Sequence, residues 1–182
     1  MCGNYAAGEV RTIKTYRTSR MEPLDSPSRR RLLDGVMLAL SVFGLADVVY
    51  LGVQEVRGFE GGCSGFDPNV IAAPTSGCGA ALTSAYSTFL GISNVTLGYV
   101  FWGVLIALGL VALFAAPRVA ALARRMRLAF VGVGAVYAAY LTFLLVSGRS
   151  GGFCPFCFAS HVLTFLLLAV AVYAASRSSD PT

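Results

Sequence analysis

Charge is scarce in this chain. Lysine, arginine, aspartate and glutamate supply 13% of its 182 residues, whereas hydrophobic residues supply 56%. A soluble domain of that size needs far more polar surface, so the composition places the chain in a bilayer. Acids are outnumbered by bases, and the net charge is +5. The bases form no single patch, however; they alternate with apolar runs, which reads as a topology signal and not as a nucleic-acid surface. Histidine occurs once. Haem, flavin and dinucleotide motifs are absent, as is a second Cys-x-x-Cys. No cleavable signal peptide is evident either, because the first apolar run starts late and is long enough to span.

Apolar runs are what the chain does have. Residues 32–53, 95–116, 128–147 and 158–175 each approach the ~20 residues needed to cross the hydrocarbon core. Inside the bilayer each must be helical, since no water is available to satisfy the backbone. The expected fold is therefore an all-α four-transmembrane-helix bundle. Its membrane domain covers 32–176, with the fourth span opening at Cys157, between cytoplasmic tails 1–31 and 177–182. Arginines cluster before the first span, between the second and third, and after the fourth, whereas the other two segments carry only Arg57 and Arg149. By the positive-inside rule both termini are cytoplasmic, and loops 54–94 and 148–153 face outward.

Cysteine placement agrees with that topology. Cys63, Cys78, Cys154 and Cys157 all fall on the outward side, where disulfides persist, and only Cys2, an incidental thiol, falls inside. Four cysteines allow three pairings, and spacing does not choose among them. Cys154 and Cys157 form a Cys-x-x-Cys pair on the first turn of the fourth helix. There the unpaired N–H groups and positive dipole end favour a thiolate. Cys63 lies in a Gly/Pro/Ser-rich stretch with little steric shielding. After Cys78, residues Leu82, Ala85, Tyr86, Phe89 and Leu90 recur at helical spacing, which predicts a short amphipathic helix lying in the interface.

Three further polar residues are candidates. Asn94 sits at the outer edge of the second span, either as an N-cap or as an amide donor to a ligand carbonyl. His161, one turn beyond Cys157, is either a ligand donor and proton carrier or a polar side chain bonded to a backbone carbonyl. Asp47, about two turns inside the first span, either serves a ligand or proton or reaches polar groups of the interface. Asp34, at the other end of that span, is within a helical turn of Arg30 and Arg31.

Two cysteine pairs on one side of a membrane suit a thiol–disulfide relay. Electrons enter at the exposed Cys63/Cys78 pair and pass to Cys154/Cys157. A lipid-soluble quinone among the helices is the natural acceptor, because no other redox cofactor motif is present. Two other readings compete: a soft-metal site of four thiolates, and a structural protein with two plain disulfides.

Cys78, the run Tyr86-Ser87-Thr88-Phe89-Leu90-Gly91-Ile92-Ser93-Asn94, Gly98, Phe101-Trp102 and Cys154-Pro155-Phe156-Cys157 together resemble the vitamin K epoxide reductase family over about residues 33–175. Quinone-coupled disulfide oxidases of the DsbB type carry their Cys-x-x-Cys after the first span, which argues against them. The resemblance implies a four-helix bundle enclosing a quinone of the menaquinone, ubiquinone or vitamin K type. It further implies that Cys78 attacks Cys154, that Cys157 faces the quinone, and that Cys63 exchanges with the partner. Asn94 matches the position that bonds the quinone carbonyl. His161 falls where some members place a quinone-contacting tyrosine, and the Cys63–Cys78 spacing is longer than is usual in the family. Without a fused thioredoxin-like domain, the expected partner is a separate thioredoxin-like (DsbA-like) protein. The expected setting is a bacterial cell membrane, where the enzyme supports extracytoplasmic disulfide formation. Reduction of vitamin K epoxide is the alternative direction.

Overall fold

The computed structural model describes residues 27–57 and 77–178. Cys63, Cys2, the glycine-rich part of the outward loop and most of both tails lie outside the described residues. Four long helices form the bundle: α1 (Pro27–Val56), α3 (Asn94–Phe114), α4 (Pro117–Val146) and α5 (Pro155–Ser178). All four are long and apolar enough to cross a membrane. Between α1 and α3 lie a short helix, α2 (Gly77–Thr83), and a two-stranded antiparallel hairpin, β1 (Thr88–Phe89) and β2 (Ile92–Ser93).

The helices form a ring in which α1 and α4 each pack against both α3 and α5. Met37, Trp102, Leu105, Val131 and Leu167 fill its centre. Phe43, Phe114 and Val133 are among the large side chains left exposed on the outside, the inversion a lipid solvent permits. Trp102 lies flat against α1 at Gly44, where any Cβ would collide with the indole. Small residues thus set how closely the helices approach.

Three boundaries differ from expectation. The second helix ends at Phe114, and after two residues Pro117 starts α4 at a position where a missing N–H costs nothing. The arginine-rich segment between the second and third apolar runs is therefore helical, not a loop. It adds about three turns to α4 before residue 128. The amphipathic helix expected over Leu82–Leu90 stops at Thr83. Thr83 and Ser84 turn their hydroxyls back onto the carbonyls of Gly79 and Ala81, which competes with helix continuation. Leu90 and Gly91 then both take positive φ, 52° and 84°, as the tight turn of a two-residue hairpin requires. Phe89 thereby points onto Tyr137 of α4, ring centroids 5.4 Å apart.

Candidate functional site

At one end of the bundle Cys78 of α2 and Cys154 are joined in a disulfide that bridges 76 residues of chain. Cys78 is 1% exposed and Cys154 fully buried. The approach that allows the bond is backbone to backbone. Gly77 takes φ 65° and Gly151 φ 81°, conformations that glycine adopts without penalty. A Cβ on Gly152 would lie 2.7 Å from the Gly77 carbonyl oxygen and 2.8 Å from its nitrogen. Two glycines, one before each cysteine, therefore bring the segments into register. Ser150 fixes the same turn by donating to the Gly152 carbonyl at 3.0 Å.

Cys154 is also the N-cap of α5. Its carbonyl accepts from Phe158 N–H at 3.0 Å, Pro155 takes the first helical position, and its Sγ accepts from Cys157 N–H at 3.3 Å. A sulfur thus stands where an N-cap oxygen normally satisfies the third helical N–H. The orientation has a chemical consequence. When the Cys78–Cys154 bond opens toward Cys78, negative charge on the Cys154 sulfur finds a hydrogen-bond donor and the positive end of α5 already in place. Cys157, half-buried and outside that disulfide, lines a cavity of about 420 Å³.

The cavity lies between the helices beneath α2 and the hairpin. Its walls are largely apolar, with Phe89, Phe101, Trp102 and Phe130 among them. Its polar side chains are few: Ser84, Tyr86, Asn94, Tyr137 and Ser150, with Ser160, His161 and Thr164 on the helix that carries Cys157. Asn94 is not the cap of α3. Ser93 is, accepting from Val95 N–H at 3.3 Å. That frees the Asn94 amide, whose Nδ2 donates to the Tyr86 carbonyl at 2.9 Å while Oδ1 accepts from Tyr137 at 2.7 Å. The second Nδ2 hydrogen is not consumed by these bonds.

His161 Nδ1 lies 2.9 Å from Thr142 Oγ1. The Thr142 hydroxyl hydrogen is already directed to the Ala138 carbonyl at 2.7 Å, so Nδ1 carries the proton of this contact. In the neutral ring Nε2 is then left as an acceptor. Asp47 does not line the cavity. It stands behind the wall, sharing a side-chain hydrogen bond with Ser160, and its Oδ2 is buried without a hydrogen-bond partner.

Cys157, Asn94 and His161 thus line one cavity, and the Cys78–Cys154 disulfide adjoins it through the Cys157 N–H, whereas Asp47 does not line it. Tyr137, Thr142 and the Gly77/Gly152 contact were not singled out from sequence. A tyrosine 43 residues from Asn94 and a threonine 19 residues from His161 carry no local signal. Only the phase of α4 against its neighbours reveals them.

A four-helix membrane protein with a buried disulfide joining a loop helix to a Cys-x-x-Cys, beside an apolar cavity, is of the thiol–disulfide oxidoreductase class. The sequence matches the model of the vitamin K epoxide reductase family over residues 35–172, and the chain belongs to that family. The membership implies use of a quinone-type cofactor. No curated protein matches the chain.

Proposed function

We propose that the protein transfers electrons from a thioredoxin-like dithiol partner to a quinone held in the cavity, and so supports disulfide formation on the side of the membrane where its cysteines lie. The observation that carries this reading is the Cys78–Cys154 disulfide, with Cys157 three residues on at the cavity wall. That pairing is the midpoint of the relay. The partner's two thiols reduce a Cys63–Cys78 disulfide and leave joined to each other. The Cys78 thiolate then attacks Cys154 of a Cys154–Cys157 disulfide; Cys78–Cys154 forms and the Cys157 thiolate is expelled. Attack of Cys63 on Cys78 next releases Cys154, the sulfur that Cys157 N–H supports. Each exchange forms one S–S bond and breaks one.

The cavity fits an aromatic dione. Its volume lies within the usual range for such ligands, its walls are largely apolar and aromatic, and its few polar groups come from different helices. When bound, the quinone takes two electrons and two protons as the Cys154 and Cys157 thiols close again to a disulfide. Asn94 donates its open Nδ2–H to one carbonyl oxygen, and Tyr137 keeps that amide from turning. His161 serves the oxygen nearer Cys157, accepting a proton at Nε2 from solvent and handing it on from the same atom. Nε2 is thus a donor only in the doubly protonated ring. The arginine distribution supports a topology with both termini cytoplasmic and the cysteines outward, and residues 32–176 act as one membrane domain.

The test is quinone-dependent oxidation of a reduced thioredoxin-like protein by the purified full chain, with thiols and reduced quinone both counted. One quinone reduced per dithiol oxidised is expected. Cys157→Ser is expected to abolish quinone reduction, and Cys63→Ser, which removes the thiol that resolves the mixed disulfide, is expected to accumulate Cys78–Cys154. Unchanged turnover in the Cys157→Ser variant would falsify the relay.

A further inference from the structure

At the end of the bundle opposite the cysteines lies a second cavity, of about 410 Å³, between the start of α1, the first turns of α4 and the last turns of α5. Arg29, Arg30, Arg124, Arg125, Arg127 and Arg177 line it, and among the described residues Asp34 is its only carboxylate. Asp34 is buried and joined to two of these cations at once. Arg124 Nε donates to its Oδ2 at 2.9 Å, and Arg127 Nη2 donates to Oδ1. One negative charge against two leaves the cluster with a net positive charge, and its more exposed cation is Arg124. Arg127 is itself only 4% exposed, and its second guanidinium nitrogen, Nη1, is buried with no hydrogen-bond partner. Half of the Arg127 fork is therefore satisfied by Asp34, and the other half packs toward α3 at Gly109.

A cavity lined by six arginines and, among the described residues, one carboxylate that is already shared by two of them is a site for an anion. Guanidinium groups match the paired oxygens of a phosphate. The remaining lining separates lipid from soluble phosphate as the source. Leu33, Met37, Leu128 and Ala171 continue the wall from the arginines toward the apolar interior of the bundle. The cavity is thus cationic at the helix ends and apolar below, the polarity of a phospholipid entering from its own leaflet. Tyr173, which accepts from Arg29 at 2.9 Å and lies 5.4 Å under the Arg177 guanidinium, stands at the level where aromatic residues meet headgroups.

We propose that this cavity binds the phosphodiester headgroup of one anionic phospholipid, which supplies the charge that Asp34 leaves uncompensated. The site is independent of the cysteine chemistry and adds to the function above.

The experiment uses the purified full chain extracted from vesicles of equimolar phosphatidylcholine and phosphatidylglycerol, with retained lipids counted by native mass spectrometry. One phosphatidylglycerol per chain is expected. Arg125→Gln/Arg177→Gln removes two exposed side chains and leaves the Asp34 pair intact, so it folds; retention is expected to fall about tenfold, as loss of a charge-assisted hydrogen bond does. Arg124→Lys keeps a cation for Asp34 but loses the guanidinium fork at the cavity wall, and is expected to weaken retention similarly. Thermal unfolding in phosphatidylcholine, with phosphatidylglycerol or inorganic phosphate added at matched concentration, distinguishes the sources. Equal retention of the two lipids, or phosphatidylglycerol retention unchanged in both variants, overturns the proposal. Equal stabilisation by inorganic phosphate overturns the lipid assignment in favour of a soluble anion.

Discussion

The Tyr137 hydroxyl donates to Oδ1 of Asn94 across 2.7 Å, from the middle of α4 to the first residue of α3. With Nδ2 held by the Tyr86 carbonyl, the amide plane is fixed from two directions and its remaining hydrogen has one direction left. The same bonds tether the hairpin over the cavity, since Asn94 N–H also donates to Ser87 at 2.8 Å. One residue thus connects the cover, the helix start and the candidate ligand contact.

Tyr137→Phe keeps the ring against Phe89 but removes the bond to Asn94. The amide then gains freedom to rotate, and the loss is that of one neutral hydrogen bond, about 0.5–1.5 kcal/mol. Quinone KM is expected to rise about two- to tenfold, with the rate of thiol exchange onto the disulfide unchanged. Asn94→Ala should reproduce and exceed the effect. Equal losses in both half-reactions would mean a general structural role.

Gly152→Ala tests the backbone contact that seats the disulfide. The new methyl collides with the Gly77 backbone, which has no flexible end to move aside. Overpacking of this kind costs about 1–3 kcal/mol, and here the only relief is for α2 to move away from Cys154. The fraction of chains carrying Cys78–Cys154, read by thiol alkylation and gel shift, should fall. The melting temperature should drop less than for a substitution in the bundle core.

The spans were legible because each is a long apolar run that the bilayer forces into a helix, and the resemblance over about 33–175 agrees with the family match over 35–172. Cys154 and Cys157 were legible for a local reason: an N-cap and the third helical position are three residues apart, so the spacing itself places both at the helix end. Cap choice at Ser93 and Asn94 was not legible, since two adjacent residues are both competent and backbone angles decide. Nor was the break after Thr83. The apolar spacing from Leu82 to Leu90 fits a helix as well as it fits a turn and hairpin, and hydroxyl back-bonding with positive φ at Leu90 tipped the balance. Asp34 shows the same limit. Local spacing offered Arg30 and Arg31, whereas its partners Arg124 and Arg127 stand about ninety residues away on the diagonal helix α4.

Thr142→Val removes the acceptor that orients His161. The imidazole is then free to exchange tautomers and turn, so the proton-carrying nitrogen no longer faces the cavity in every molecule. Quinone reduction is expected to slow about three- to tenfold, while the disulfide pairing is unaffected. Thr142→Ser, which restores the hydroxyl, should recover most of the rate. Recovery by serine is the outcome that a purely steric role for the threonine does not produce.

Asp34→Asn tests the diagonal tie at the arginine end. The carboxylate is buried and serves two guanidinium groups, and Arg124 also caps the end of α3 by donating to the Ala112 carbonyl at 3.3 Å. Removing one partner of a buried ion pair leaves uncompensated charge, at a cost of about 3–5 kcal/mol. The variant should therefore unfold at clearly lower denaturant in detergent. The pair Asp34→Asn/Arg127→Met, which removes both buried charges, should recover much of that loss, because well-packed apolar replacements of such pairs are often neutral. If the double variant were instead as unstable as Asp34→Asn alone, the cost would lie in the lost geometry around Arg124 and not in stranded charge. Turnover at the far end of the bundle is expected to follow folded fraction alone.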